Sequence, residues 1–270
     1  MNLKKIIAIG AIAASALVAS APANAVITTF AQFSAVGQAA NVRWVNNGVV
    51  KTSTVSNTTT GTGGFLYTTA TGTGTTPANV AVHFEFLQAS LASVGPISAN
   101  FFMDITVASG NAATAVGTFR IQNIPTGSFS FTNKQAFSVN NVTYSVGSNL
   151  LTGTFTTGTI FGSSSSGSFS GNSEDGTLVY TSDVLDFTNT LSRDYSMGFT
   201  SITPAIFRST TGGNKSLRTF RALATGSFSS DPAPLVIAVP EPSSWLLMIA
   251  GFGLIGVAAR RRSRQTSVVA

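Results

Sequence analysis

The chain of 270 residues contains no cysteine. A disulfide framework, a thiolate zinc site, an iron–sulfur cluster and a cysteine nucleophile are therefore excluded. It contains a single histidine, His83, which leaves little to build a transition-metal centre on. A Ser/His/acid triad would have to centre on that one residue. Charge is scarce too, with Asp, Glu, Lys and Arg making up only 9% of the chain. That is too little for a charged disordered tail or an ordinary helical cytosolic enzyme. No interior window carries a 3.6-residue apolar stripe, and no glycine-rich loop leads into a helix as a phosphate loop must. There is no G-x-S-x-G nucleophile elbow.

What is present is hydroxyl, glycine and phenylalanine: 34 Ser, 36 Thr, 26 Gly and 20 Phe. Phe, Val and Ile are too plentiful for a mucin-like stalk, and no collagen period runs through the glycines. This composition predicts an all-β chain. Alternation with a period of two supports it. Across residues 80–87, Val80, Val82, Phe84 and Phe86 share one strand face, and Ala81, His83 and Glu85 share the other. Asn47-Gly48 sits between two β-rich arms as a type I′ hairpin signal, with Val42 and Trp44 on one face. Further strands are expected over 101–109, 115–124, 137–146, 177–187, 195–202 and 217–228. Loops are expected over 56–77, with a strand at Phe65-Leu66-Tyr67, and over 162–176.

A four-residue unit recurs as Gly-Ser-Phe-Ser at Gly127, Gly167 and Gly226, and as Gly-Thr-Phe-Thr at Gly153. Its irregular spacing excludes a solenoid or propeller register. The unit reads as a strand with Phe inward and hydroxyls outward. Residues 26–232 thus suit one antiparallel β-sandwich or jelly-roll-like body.

The net charge of +6 suggests a nucleic-acid or membrane partner until its position is examined. Six of the fifteen basic residues lie in the two ends: Lys4, Lys5, Arg260, Arg261, Arg262 and Arg264. Residues 26–239 hold nine basic and eight acidic side chains. The body is near neutral, and no nucleic-acid partner is expected.

Residues 1–25 read as a secretory signal-peptide helix. Lys4-Lys5 form the charged start, residues 6–18 an apolar stretch, and Ala23-Asn24-Ala25 an A-x-A site for signal peptidase ahead of Val26. At the other end, residues 233–239 form a Pro-punctuated linker. Then come Pro240-Glu241-Pro242, an uncharged run from Trp245 to Ala259, and Arg260-Arg261-Arg262. As a helix the fifteen-residue run is about 22 Å long, a marginal span that flanking Ser and snorkelling Arg stems extend. The Arg cluster holds its far end in the cytoplasm.

The run VPEPSSWLLMIAGFGLIGVAARRR resembles the PEP-CTERM sorting signal, in the variant with Trp three residues after the second Pro. Motif, span and basic stop occur together over residues 240–264, and residues 265–270 form a short tail. The resemblance implies recognition by an exosortase, a membrane cysteine peptidase of Gram-negative bacteria. It further implies transient anchoring in the inner membrane, removal of the hydrophobic tail, and release to the cell surface or extracellular matrix. Association with exopolysaccharide and biofilm is implied by the same likeness.

Little in the body points to chemistry. His83 and Glu85 share a strand face two residues apart, where the acid could orient the imidazole. Glu85 and Asp104 could form a carboxylate pair on neighbouring strands. Asn172, Glu174 and Asp175 crowd one loop as an oxygen-rich candidate for calcium, against the plainer reading of a solvated turn at Asp175-Gly176. Trp44, Tyr67, Tyr144, Tyr180 and Tyr195 are the aromatics available for stacking on sugars. No catalytic residue and no cofactor is expected. The sequence reads as a non-enzymatic exported β protein, with a carbohydrate-binding module or adhesin as the alternative and a glycan hydrolase as a weaker one. The signal-peptide reading predicts Val26 as the first residue of the exported protein. Intact-mass measurement checks it; any other N-terminus, or unimpaired maturation of an Ala25→Phe variant, contradicts it.

Overall fold

The computed structural model describes residues 28–46, 51–52, 59–60, 63–71, 73–107, 111–190, 192–206 and 216–234. Both terminal signals, with the helices expected in them, lie outside these residues. So does the Asn47-Gly48 turn. Among the described residues, no helix is long and apolar enough to cross a membrane.

The described chain is mostly strand. It begins with β1 (Thr28–Ala35), β2 (Val42–Asn46), β3 (Lys51–Thr52), β4 (Thr59–Thr60), β5 (Gly64–Thr68) and β6 (Val80–Phe86). A short 3₁₀ helix at Ala89–Val94 leads into the long β7 (Ile97–Val107). Next come β8 (Thr114–Val116), β9 (Phe119–Ile124), β10 (Gly127–Asn133), β11 (Phe137–Val139), β12 (Val142–Tyr144) and β13 (Asn149–Phe155). The series continues with β14 (Gly158–Gly162), β15 (Gly167–Asn172), β16 (Leu178–Thr181) and β17 (Leu185–Asp186). It closes with β18 (Asp194–Thr203), the long β19 (Phe220–Ser230) and β20 (Ala233–Pro234).

Fourteen of these strands form one antiparallel sheet in the order β16-β13-β10-β7-β5-β2-β19-β18-β15-β14-β9-β8. β6 and β1 make a second bridge between β7 and β19. The long strands therefore change partner along one edge. β7 pairs with β6 through residues 97–101 and with β5 through residues 104–107. β19 pairs with β2 through residues 220–222 and with β1 through residues 226–230. At each changeover a backbone group would lose its partner, and a buried side chain takes it up. Asn41 accepts from the Ala224 amide at 2.7 Å through Oδ1 and donates to the Ala224 carbonyl at 3.2 Å. Thr68 Oγ1 accepts from the Met103 amide at 3.0 Å. Buried Asn41 and Thr68 are thus explained by backbone accounting.

The sheet curls on itself. β10 and β19 are four places apart along the β6–β1 bridge, about 19 Å if the sheet were flat. Yet the Phe129 and Phe228 rings lie 5.3 Å apart, and Phe129 and Tyr195 equally 5.3 Å. Phe131 sits 4.9 Å from Phe33 and 5.1 Å from Phe84. Among the described residues, thirteen buried phenylalanines fill the interior so formed, with Trp44 beside them donating its indole N–H to the Leu217 carbonyl at 3.0 Å.

The Gly and Phe of all four copies of the recurrent unit lie in strands, and Phe129, Phe155, Phe169 and Phe228 are buried. The glycine of each unit sits two residues from its Phe, on the same face. In β10 and β13 the copies pair reciprocally, with Gly127 opposite Phe155 and Phe129 opposite Gly153. A Cβ at Gly153 would stand 2.3 Å from the Phe129 ring, and one at Gly127 2.6 Å from that of Phe155. Each ring occupies the space that the opposite glycine leaves empty. Gly226 takes the Phe33 ring from β1 in the same way.

Several expectations are corrected. The two edges of β2 are taken by β19 and β5, so β2 does not form a hairpin with β3, which pairs with β4. A turn with both central residues at positive φ occurs instead at Asn140 and Asn141, between β11 and β12. The strand expected over 115–124 is a hairpin, turned at Gly117 with φ +59°. The 162–176 stretch contains β15, entered by a tight turn in which the Ser163 amide donates to the Ser166 carbonyl. Ala233 and Pro234, at the start of the expected linker, pair with β17. Phe65-Leu66-Tyr67 is a strand as expected.

The reciprocal pairing predicts non-additive energetics. Gly153→Ala should cost ~1–3 kcal/mol by overpacking, and Phe129→Ala ~3–5 kcal/mol by leaving a cavity. The double variant should lose at least about 1 kcal/mol less than the two single losses combined, as measured by urea unfolding. Strict additivity would contradict the interlock.

Candidate functional site

The alternation that sends Phe84 and Phe86 inward leaves His83 exposed and Glu85 half-buried on the outer face of β6. The neighbouring strands β1, β19 and β18 present their own outward residues in register beside them. Ser196 lies opposite Ser227, Ser227 opposite Gln32, and Gln32 opposite Glu85, one polar row crossing four strands. Two residues along each strand runs a second row, with Gly198 opposite Thr225 and Ser34 opposite His83. All eight residues line one cavity of about 770 Å³, together with Phe33, Gly226 and Pro96. The small residues in the middle leave the trough, and the long ones stand at its β6 side.

Within the trough the Gln32 amide donates to Glu85 Oε2 at 2.8 Å, fixing one amide against one carboxylate. Two hydroxyls lie directly across from His83 by register, Ser34 on β1 and Ser98 on β7. No hydrogen bond links His83 to Ser34 or to Glu85 among the described residues, and Glu85 is oriented by Gln32. Asp104 is elsewhere. His83 pairs with Ser98 on β7, whereas Asp104 pairs with Tyr67 of β5, six residues further along β7 and about 20 Å away. The Glu85/Asp104 carboxylate pair is therefore not brought together, because β7 changes partner between the two sites.

Asn172, Glu174 and Asp175 share one exposed turn. The Asn172 side-chain oxygen accepts from the Glu174 amide at 3.0 Å and the Asp175 amide at 2.7 Å, and its NH₂ donates to Asp175 Oδ2 at 2.9 Å. These are the bonds of an Asx turn, the plainer reading of this loop, and they engage Asn172 Oδ1 and Asp175 Oδ2. Asp183 Oδ2 accepts from the Asn149 amide at 2.7 Å. Asp186 accepts from the Thr188 hydroxyl and amide, the hydroxyl first in weight, and its carboxyl is held below the usual range. Among the described residues, no group of three His, Asp or Glu side chains is placed to hold a metal ion.

The five aromatics considered for sugar stacking are all buried: Trp44, Tyr67, Tyr144, Tyr180 and Tyr195. Tyr180 donates its hydroxyl to the Asp194 carbonyl, and burial raises its pKa well above the ordinary value. Tyr195 passes over Gly171 and Gly158 with its hydroxyl buried and unpartnered, and burial pushes its pKa up strongly. The exposed rings are phenylalanines. Phe119 and Phe161 stack at 4.8 Å and 17° on the adjacent strands β9 and β14.

His83 and Glu85 were legible in the sequence. Gln32, Ser34, Ser196, Thr225 and Ser227 were not, since only long-range register brings them beside β6. The one local clue, alternation in β1, is broken by a register shift between Thr29 and Ala31 that buries Phe30 and Ala31 together.

The family described as the PEP-CTERM protein-sorting motif matches residues 238–262, which contain Pro240, Glu241, Pro242, Trp245 and Arg260 to Arg262. No curated protein and no solved structure matches the chain. The chain carries a PEP-CTERM sorting motif, the mark of an exported protein sorted by an exosortase, itself a membrane protein.

The buried Tyr195 hydroxyl generates a prediction with a definite sign. Tyr195→Phe removes a group with no partner, so stability at pH 7 should stay within about 1 kcal/mol or rise. Because the folded pKa is raised, the wild type keeps its full stability below about pH 10, the unfolded value, and loses it as pH climbs further. The variant should lose less. Urea unfolding at pH 7 and pH 10.5 measures both; a large loss at pH 7 would reveal a partner for the hydroxyl.

Proposed function

We propose that this is a non-enzymatic protein of the cell surface or extracellular matrix, exported, processed at its C-terminal motif and associated with exopolysaccharide. The observation that carries the reading is the sorting motif at residues 238–262. In this reading Ala23 and Ala25 are recognised by signal peptidase. Pro240-Glu241-Pro242 and Trp245 are presented to the exosortase at the outer face of the inner membrane. Arg260, Arg261 and Arg262 stop and orient the segment. The curled sheet, packed ring against ring, serves as a sandwich-like body that survives processing.

Two features support a physical rather than a catalytic role. The body is near neutral and rich in hydroxyls, so it packs among polysaccharides through hydrogen bonds without electrostatic selection. Glu85 is the one carboxylate lining the trough across β18, β19, β1 and β6, whereas glycoside hydrolysis uses two, ~5–9 Å apart.

Replacing Pro240, Glu241 and Pro242 together with alanine tests the processing step. The exported wild type should have lost its C-terminal apolar segment, and the variant should retain it and stay with the membrane fraction. A variant of the same mature mass as the wild type would contradict the role given to the motif.

A further inference from the structure

We infer that the two-row trough across β18, β19, β1 and β6 is a binding site for an extended, uncharged polysaccharide chain lying across the strands. The assignment rests on the matrix-association reading and names the surface that would carry it. Neighbouring strands are about 4.8 Å apart, so the first row offers a hydrogen-bonding side chain at that interval over four strands and the second over three, Gly198 leaving β18 open. The rows themselves are separated by two residues, about 6.6 Å. Ser196, Ser227, Gln32 and Glu85 form one line of donors and acceptors, and Thr225, Ser34 and His83 stand in the other. A polymer with hydroxyls along its whole length meets partners at every strand.

The composition of the trough selects against other ligands. Its lining holds one acid, Glu85, and no Lys or Arg, so neither a nucleic acid nor an anionic polymer finds its counter-charges there. Phe33, its only aromatic, is 3% exposed, so the trough offers no apolar pocket for a peptide anchor. The trough sits on a sheet face, away from the edge strands β8 and β16 where an added strand would pair. The Gln32–Glu85 bond at 2.8 Å holds an amide and a carboxylate side by side, leaving the second carboxylate oxygen and the amide carbonyl for adjacent ligand hydroxyls. The volume of about 770 Å³ is ample for a short run of sugar residues.

Gly198 supplies a clean steric test. A Cβ there meets nothing nearer than the Thr225 hydroxyl at 3.8 Å, so a side chain can start from this position into the trough, and Gly198→Leu fills it. The protein purified from cells that export it is run in affinity electrophoresis through gels containing dextran, hydroxyethylcellulose or alginate. Gly198→Leu, the double variant Gln32→Ala/Glu85→Ala and, outside the trough, Phe119→Ala run beside it. Unfolding midpoints confirm that each variant is folded. The expected result is retardation of the wild type and Phe119→Ala by a neutral polymer. Affinity should fall at least about tenfold for the two trough variants. Retardation unchanged in Gly198→Leu, or lost only in Phe119→Ala, overturns the trough assignment and leaves matrix association standing. Preference for alginate overturns the uncharged class of ligand. Retardation by none of the three overturns both the trough and the polysaccharide association, while processing at residues 240–242 is judged separately by mass.

Discussion

The fold depends on fitting phenylalanine rings into the spaces that glycines leave. A strand that places a bulky ring every second residue on its inner face cannot approach a neighbour doing the same. Gly-x-Phe solves this when two copies pair antiparallel, because each ring lies over the opposite glycine. Gly127 with Phe155 and Gly153 with Phe129 are the reciprocal case, and Gly226 beneath Phe33 extends it to the next layer. The arrangement is known in designed sheets as covering glycine with an aromatic side chain. Here it allows β10 and β13 to close over β18 and β19, so that rings from strands several places apart meet at about 5 Å.

That interior governs what the exterior can be. The interior takes up most of the aromatics among the described residues, including all four tyrosines and Trp44, and leaves the outward positions largely to Ser, Thr and a few long polar side chains. The recurrent unit therefore produces two products at once. Its Phe and Gly build the core, while Ser227 and its neighbours build the polar rows. The excess of positive charge lies in the two ends, since residues 26–239 hold nine basic against eight acidic side chains. An interior of rings and a near-neutral hydroxyl surface are consequences of one short sequence pattern, in a chain that carries a sorting motif at residues 238–262.

Much of this was legible locally. The period of two across Val80 to Phe86, the inward Phe of the recurrent unit and the strand at Phe65-Leu66-Tyr67 follow from side-chain alternation alone. The turns were less legible. Asn47-Gly48 has strong hairpin chemistry, yet one edge of β2 is taken by β5, which begins at Gly64, and the other by β19, remote in sequence, so β2 does not make the short-range pairing that the dipeptide favours. Asn140-Asn141 and Gly117, where positive φ is used, carry weaker local signals. Strand order was not legible, because register across 50 to 200 residues of separation leaves no local trace. For the same reason His83 and Glu85 could be named from sequence while Gln32, Ser34 and Ser227 could not. Asp104 shows the opposite error: proximity suggested by neighbouring strands fails once β7 switches partner.

Native-state hydrogen exchange tests the central claim most directly. If the ring-and-glycine interlock ties the two halves of the sheet together, the amides of Phe129 and Phe131 in β10 and Phe228 in β19 should exchange only through global unfolding, with one common free energy. The exposed hairpin of β8 and β9 should open well below it. Exchange of the β10 amides through a local opening, while β19 stays protected, would contradict an interlocked core and reduce the recurrent unit to ordinary strand sequence.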